Sequence, residues 1–180
     1  MKTKILVLFL VVFSQYFFSQ KIDEKYIPKE YVEITHPEWS KNATIYEVNV
    51  RQYTPEGNFK AFEKHLPRLK NMGVDIIWLM PIHPIGEKNR KGKLGSYYSV
   101  KDFKGINPEF GNMQDFKNLV KKIHELGMYV IIDWVGNHSA WDNPLATTHP
   151  HWYTKNKDGN FQPTPWYAWD DVIAFNYDNP

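Results

Sequence analysis

The sequence contains no cysteine. That excludes a disulfide framework and a thioether-linked lipid anchor. It has little charge of one sign: 22 Lys and Arg stand against 20 Asp and Glu, for a formal charge of +2. The lysines are spread among the acids, so there is no basic stripe, and neither a polyanion nor nucleic acid is expected as a partner. Neither G-x-G-x-x-G nor G-x-x-x-x-G-K-[ST] follows any apolar run, which leaves a nucleotide-binding fold without its usual support and implies no nucleotide or redox cofactor. Aromatics, by contrast, are plentiful at 16%, with seven Trp. Such a composition suits a packed core plus a flat apolar binding surface better than a disordered chain.

Residues 1–20, "MKTKILVLFLVVFSQYFFSQ", pair two early lysines with an apolar run from Ile5 to Phe13 and then small polar residues. A run of about nine apolar residues is too short to span a bilayer. The pattern fits a secretory signal cleaved near Ser19–Gln20, which would export the chain to the periplasm or the medium. Its removal takes away Lys2 and Lys4 and no acid, leaving basic and acidic side chains equal at 20. No membrane span is expected after cleavage. Residues 21–43 are polar, broken by Pro28 and Pro37, and read as a surface lead-in.

From Thr44, "TIYEVNVRQY" alternates and is rich in β-branched and aromatic residues, which predicts a strand. "TPEGN" is a turn. Asn58 can then cap a helix with Phe59, Phe62, Leu66 and Leu69 on one face and Gly73 past its end, interrupted by Pro67. "VDIIWLMP" is nearly all apolar, as in a strand covered on both faces of a parallel sheet. A loop from Ile82 to Gly111 follows; that length within a compact domain is usually functional. Asn112 and Asp115 are spaced as a capping box ahead of a helix with Phe116, Leu119, Val120, Ile123 and Leu126 as its buried stripe. Gly127 ends that helix and "MYVIIDW" is a third strand.

The order is therefore βαβαβ, with right-handed crossovers. A doubly wound sheet and a (β/α)8 barrel both offer it. Long loops after the second and third strands favour the barrel, whose chemistry sits at the C-terminal strand ends. At 180 residues the chain falls short of a whole barrel, which takes about 250.

Asp133 closes the third strand, and Asn137 and His138 follow in "IIDWVGNHSAW". Asp can accept from hydroxyls, His can donate to one, and an Asn carbonyl suits a hard cation such as Ca2+. Taken alone, the three residues fit a turn-capping Asp and ordinary loop residues equally well. "DWVGNHS", however, resembles the first signature region of the α-amylase family (glycoside hydrolase family 13). The likeness extends in order through "IYEVNVRQYTPEGNFKAFEKHLPRLKNMGVDIIWLMPIHPIG" and "GSYYSVKDFKGINPEFGNMQDFKNLVKKIHELGMYVIIDW", covering about residues 36–180. Secreted bacterial α-amylases are similar to it.

The resemblance implies an α/β fold: an incomplete (β/α)8 TIM barrel holding the first three βα units over 44–138, with 139–180 opening the domain inserted after strand three. It implies that Asp133 and His138 hydrogen-bond the sugar at the cleavage subsite and that Tyr98 stacks on it. Asn137 corresponds to a Ca2+ ligand in members that carry the ion. Where family members often have Asp-Leu-Asn, this chain has Ala174-Phe175-Asn176, one carboxylate fewer. The aromatics of 139–180 are expected to build a satellite core, with one or two lining a glucan groove. "HWYTKNKDGNF" reads as a hairpin turning at Asp158–Gly159.

Retaining glycosidases need two carboxyl groups about 5–5.5 Å apart. In the family these follow later strands, so no catalytic carboxylate is expected up to Pro180. The expectation is the N-terminal part of an α-glucan hydrolase; the alternative is a non-catalytic remnant or a glucan-binding module.

Overall fold

The computed structural model describes residues 35–164, 167 and 169–179. The expected signal, 1–20, and most of the lead-in lie outside them. The chain divides into two units, Met1–Glu38 and Trp39–Pro180, and the described strands and α-helices all belong to the second.

Three parallel strands form the main sheet in the order β1-β2-β3: β1 is Ile45–Val48, β2 Ile76–Leu79 and β3 Tyr129–Ile132. Ile45 pairs with Ile76 and Ile76 with Tyr129, so three short apolar runs stand in one register. Between β1 and β2 lie α1 (Val50–Tyr53), α2 (Phe59–Glu63) and α3 (Leu66–Asn71); between β2 and β3 lies α4 (Met113–Glu125). The βαβαβ order read from the sequence is the order found.

The core fills the space between helices and sheet. Phe59, Phe62, Leu66 and Leu69 from α2 and α3 and Leu119 and Ile123 from α4 are fully buried against Val48, Ile77 and Leu79. These positions recur every three or four residues in the helices, which is why one face of each is apolar. Asn58 caps α2 by accepting from the Ala61 N–H at 2.9 Å. Asn112 and Asp115 close a reciprocal capping box on α4.

Two expectations on this part of the chain need correction. The strand predicted across 44–53 stops at Val48, and Val50–Tyr53 is a helical turn instead. Val50 and Tyr53 are three apart, so a turn of helix buries Val50 and lays the Tyr53 ring edge-on to Phe62 at 4.8 Å; an extended chain would send the two to opposite faces. The single helix expected after Asn58 is broken in two. Pro67 has no N–H to offer the carbonyl of Glu63 and crowds it, so α2 ends there, and Pro67 sits near the start of α3, where a missing donor costs nothing.

β2 is buried as predicted for a central strand. β3 is not: Ile131 is 43% and Tyr129 42% exposed, because β3 is an edge of the sheet as β1 is. The loop 82–111 holds neither helix nor regular strand, though it doubles back so that Ile85 bridges Val100.

A second, antiparallel pair has no counterpart among the predicted elements. β4 (His138–Ala140) pairs with β5 (Val172–Ala174), so His138 opens a strand rather than lying on a loop. A short helix, α5 (Leu145–Thr148), follows β4. Tyr153, Ile173 and Ala146 form the satellite core with Trp141, Leu145, Phe161 and Phe175 around it. The expected hairpin is present as a tight loop: the Asn156 N–H donates to Asn160 O, Gly159 takes a positive φ of 82°, and Lys155 bridges Phe161. Among the described residues no helix is long and apolar enough to cross a membrane.

Candidate functional site

The site begins where β3 stops. The Asp133 N–H still donates to Leu79 O at 3.0 Å, so the ladder holds this residue's backbone while its side chain leaves the strand end. Tyr98 comes from the long loop, and its hydroxyl donates to Asp133 Oδ2 at 3.1 Å. His138, at the head of β4, reaches the Tyr98 carbonyl through Nε2 at 3.2 Å. Three residues singled out in the sequence, Tyr98, Asp133 and His138, are thus joined in one chain of contacts.

The tautomer of His138 is set by its partners. Asn137 Nδ2, which can only donate, lies 2.9 Å from Nδ1, so Nδ1 accepts. Nε2 therefore carries the hydrogen and donates to the Tyr98 carbonyl. Burial holds the His138 pKa below the usual 6.5, against a smaller upward pull from the Tyr98 carbonyl and Asp171. Protonation would place a second donor against the Asn137 amide, which adds to the cost of charging the ring. The imidazole is neutral at neutral pH.

Stability therefore depends on pH. The unfolded chain takes up a proton at His138 before the folded one does, so stability rises with pH through this range and falls as pH drops below about 6.5. In an NMR titration the His138 ring should show a midpoint below 6.5. His138→Gln should lose less melting temperature than the unchanged chain between pH 7 and pH 5. A midpoint above 6.5 would contradict the burial argument.

Tyr98 shifts the other way. Burial and the adjacent Asp133 carboxylate push its pKa up to about 12. The phenol stays protonated under any working condition and remains a donor to Asp133. Tyr98 as a residue is 38% exposed and lines the adjoining cavity.

Beside these residues a cavity of about 340 Å3 is lined by Tyr98, His138, Trp169, Asp171, Ser96 and Lys91. A few convergent polar groups on an apolar wall are what a small-molecule site requires. The cleft of about 360 Å3 along α4 is different: Lys60, Glu63, Asp115 and Lys121 line it, a solvated groove of mixed charges.

Sequence reasoning missed Ser99 and Asp171, and it did not separate Trp169 from the other aromatics of 139–180, of which one or two were expected to line a groove. Ser99 Oγ, buried, donates to Asp171 O at 2.8 Å and ties the Tyr98 loop to the segment before β5. No local pattern marks a pair 72 residues apart.

Asn137 is held differently from the other three. Its side-chain amide donates to His138 and to Thr164 Oγ1 at 3.4 Å, and its backbone carbonyl accepts from the Phe175 N–H. That leaves Oδ1 for a cation. Ala174 faces His138 across the ladder, bringing a methyl where family members often carry a carboxylate. Among the described residues no three His, Cys, Asp or Glu gather as a metal site. A Ca2+ ion takes six to eight oxygens, of which Asn137 Oδ1 would supply one.

Comparison with known proteins supplies the context. The profile of the alpha-amylase catalytic domain matches residues 15–180. The chain is 31% identical to Alpha-amylase 3 of Dictyoglomus thermophilum over 166 residues, 79% of this chain and 32% of that protein. It is 33% identical to the Alpha-1,4-glucan:maltose-1-phosphate maltosyltransferase of Methylacidiphilum infernorum over 138 residues, 68% of this chain and 20% of that one. Among solved structures, an alpha-amylase from Lactobacillus plantarum superposes with a TM-score of 0.74 at 49% identity, over 76% of this chain and 32% of that one. A maltogenic alpha-amylase from Thermotoga neapolitana gives 0.70 at 44% identity, over 77% and 32%. The chain spans between a fifth and a third of the length of these relatives.

Proposed function

Because the chain belongs to the family of alpha-amylase catalytic domains, we propose that it is the sugar-holding part of an enzyme acting on α-glucosidic bonds of starch-like glucans. The observation that carries this reading is the contact of Tyr98 with Asp133, 3.1 Å at the C-terminal end of a parallel strand, with His138 bonded to the Tyr98 carbonyl beside it.

Under this reading each residue has a physical role. The Asp133 carboxylate accepts from sugar hydroxyls, and charge makes such bonds stronger than neutral ones. The Tyr98 ring lies against the C–H face of a pyranose, covering apolar area while leaving the hydroxyls free. His138 was expected to bond the sugar directly; with Nδ1 taken by Asn137 and Nε2 by the Tyr98 carbonyl, its neutral ring is proposed instead to fix the Tyr98 backbone. Asn137 Oδ1 is at most one ligand oxygen for Ca2+, and no step is assigned to that ion. Bond cleavage with retention needs a nucleophile and an acid/base about 5–5.5 Å apart. Asp133 is engaged by the Tyr98 hydroxyl and is a binding group, so this chain is proposed to hold glucan without cutting it. The relatives include both an amylase and a maltosyltransferase; hydrolysis is the outcome favoured here, since the solved relatives of higher identity are amylases.

The test is glucan affinity. Maltotriose should bind the chain by NMR titration, with no reducing sugar released. Asp133→Ala should weaken binding roughly ten- to a hundredfold, the loss of one or two hydrogen bonds to a charged group. An equal affinity for cellotriose, or no affinity for either, would sink the proposal.

A further inference from the structure

We infer that Arg51 is a positioning residue for the sugar site, gripping the loop that carries Tyr98 so that this residue stands beside the cavity; this rests on the function proposed above. Arg51 belongs to α1, the helical turn after β1, and does not line the cavity itself. Its guanidinium carbon lies 4.4 Å from the centre of the Tyr97 ring, and its Nε donates to Glu109 Oε2 at 2.7 Å. Tyr97 directly precedes Tyr98, and Glu109 is near the end of the same loop. One side chain thus holds the loop at two separate points.

Both grips are backed by fixed structure. The Tyr97 ring packs against the main core and lies tilted on Phe110, with centroids 6.5 Å apart. The Glu109 N–H donates to Asn107 Oδ1 at 3.1 Å, and the Asn107 N–H donates to Ile82 O at 2.8 Å, just past β2. The backbone of Arg51 is packed in turn by Gly57, where a Cβ would come within 2.8 Å of Arg51 O. Tyr97 is therefore held between a cation and the core, and the chain enters Tyr98 from a set place. From there the Tyr98 carbonyl accepts from His138 Nε2 and the hydroxyl reaches Asp133. Those two contacts restrain Tyr98 on one side, and Arg51 restrains it on the other.

The chemistry of the side chain separates position from stability. The Arg51 side chain is only 16% exposed, and its Nη2 is buried with no hydrogen-bond partner among the described residues. A buried N–H left unpaired detracts from stability, so an apolar replacement of similar length gives up little. Methionine would keep a contact with the Tyr97 ring. It would not hold Glu109, whose carboxylate is exposed enough for water to take over from the guanidinium. Lysine would keep the ion pair but not the flat face that a guanidinium lays on a ring. In either variant the loop is less restrained while the core beneath it stays closed.

The experiment compares the unchanged chain with Arg51→Met and Arg51→Lys, each carrying 13C in its tyrosine rings. NMR reads the Tyr98 ring signals before any sugar is added and then the affinity for maltotriose, while urea denaturation reads stability. Arg51→Met should move the Tyr98 signals and weaken maltotriose about tenfold, with its urea midpoint close to that of the unchanged chain. Arg51→Lys should recover part of the affinity. Unmoved Tyr98 signals in Arg51→Met, or an undiminished affinity, would overturn the positioning role and leave the proposed function standing. So would an affinity that falls in both variants only in step with the urea midpoint. If the unchanged chain binds no maltotriose, the proposed function falls by itself, and the Tyr98 signals alone decide whether Arg51 positions that residue.

Discussion

Phe62→Ala is expected to cost about 3–5 kcal/mol, the range for truncating a fully buried aromatic. Phe62 is wholly inaccessible, on the face of α2 turned to the sheet, and its ring meets Tyr53 edge-on at 4.8 Å. Its neighbours in the cluster are Val48, Leu66 and Leu79, from three different elements. Helix and sheet cannot close on the space left behind without breaking the register of β1 with β2. Domain stabilities are typically 5–15 kcal/mol, so the variant should sit near its unfolding midpoint in modest urea. Chemical denaturation followed by circular dichroism measures this. Phe116→Ala, at a partly buried position of the same cluster, serves as the comparison and should cost distinctly less. A shift under about 1 kcal/mol for Phe62→Ala would mean that the interior is loosely packed.

Gly86→Ala should damage stability and site together. A Cβ there would lie 2.4 Å from Ala140 Cβ and 2.9 Å from Asp142 Oδ1. Its backbone needs no left-handed conformation, so space alone is at issue. Three segments converge at this point: the Gly86 N–H donates to Ser99 O at 2.8 Å and the Ala140 N–H to Val100 O at 2.9 Å. A methyl group forces β4 away from the loop, at about 1–3 kcal/mol for overpacking. His138 moves with β4 and Tyr98 with the loop, so the contact between them is the one that opens. Maltotriose affinity is therefore expected to fall about tenfold or more. Adding Ala140→Gly removes the nearest clash and should restore part of both losses. A Gly86→Ala chain that melts and binds as before would show that the loop moves freely over β4.

Much of the main sheet could be read from local pattern. The apolar runs at 76–79 and 129–132, the amphipathic period of 113–125 and the Asn112–Asp115 box each carry their signal within a dozen residues. β4 and β5 do not. "HSA" has no alternation, and what makes it a strand is "VIA" some thirty residues later, a tertiary pairing that no window of sequence contains. Tyr53 misled because a short β-rich segment satisfies both periods. At the site, Asp133, Asn137 and His138 form a local cluster whose roles only the family resemblance assigned, and Tyr98 stood out through that resemblance alone, since it lies 35 positions from Asp133. Trp169 was hidden by abundance. Among so many aromatics, a composition argument cannot separate a ring that builds a core from one that faces a cavity.

The register of the parallel sheet also bears on how quickly the molecule can assemble. Pairing Ile45 with Ile76 closes a loop filled by three short helices, while pairing Ile76 with Tyr129 must enclose the whole of 82–111 and α4. Helical turns form in about a microsecond or less, but chain closure over such separations is entropically costly, and parallel pairing is slow for that reason. Asp133 is carried by the strand that docks through the longer closure, and Tyr98 lies inside the loop which that closure defines. The contact between them thus belongs to the late part of refolding, with affinity for glucan returning after helical signal has reached its final value.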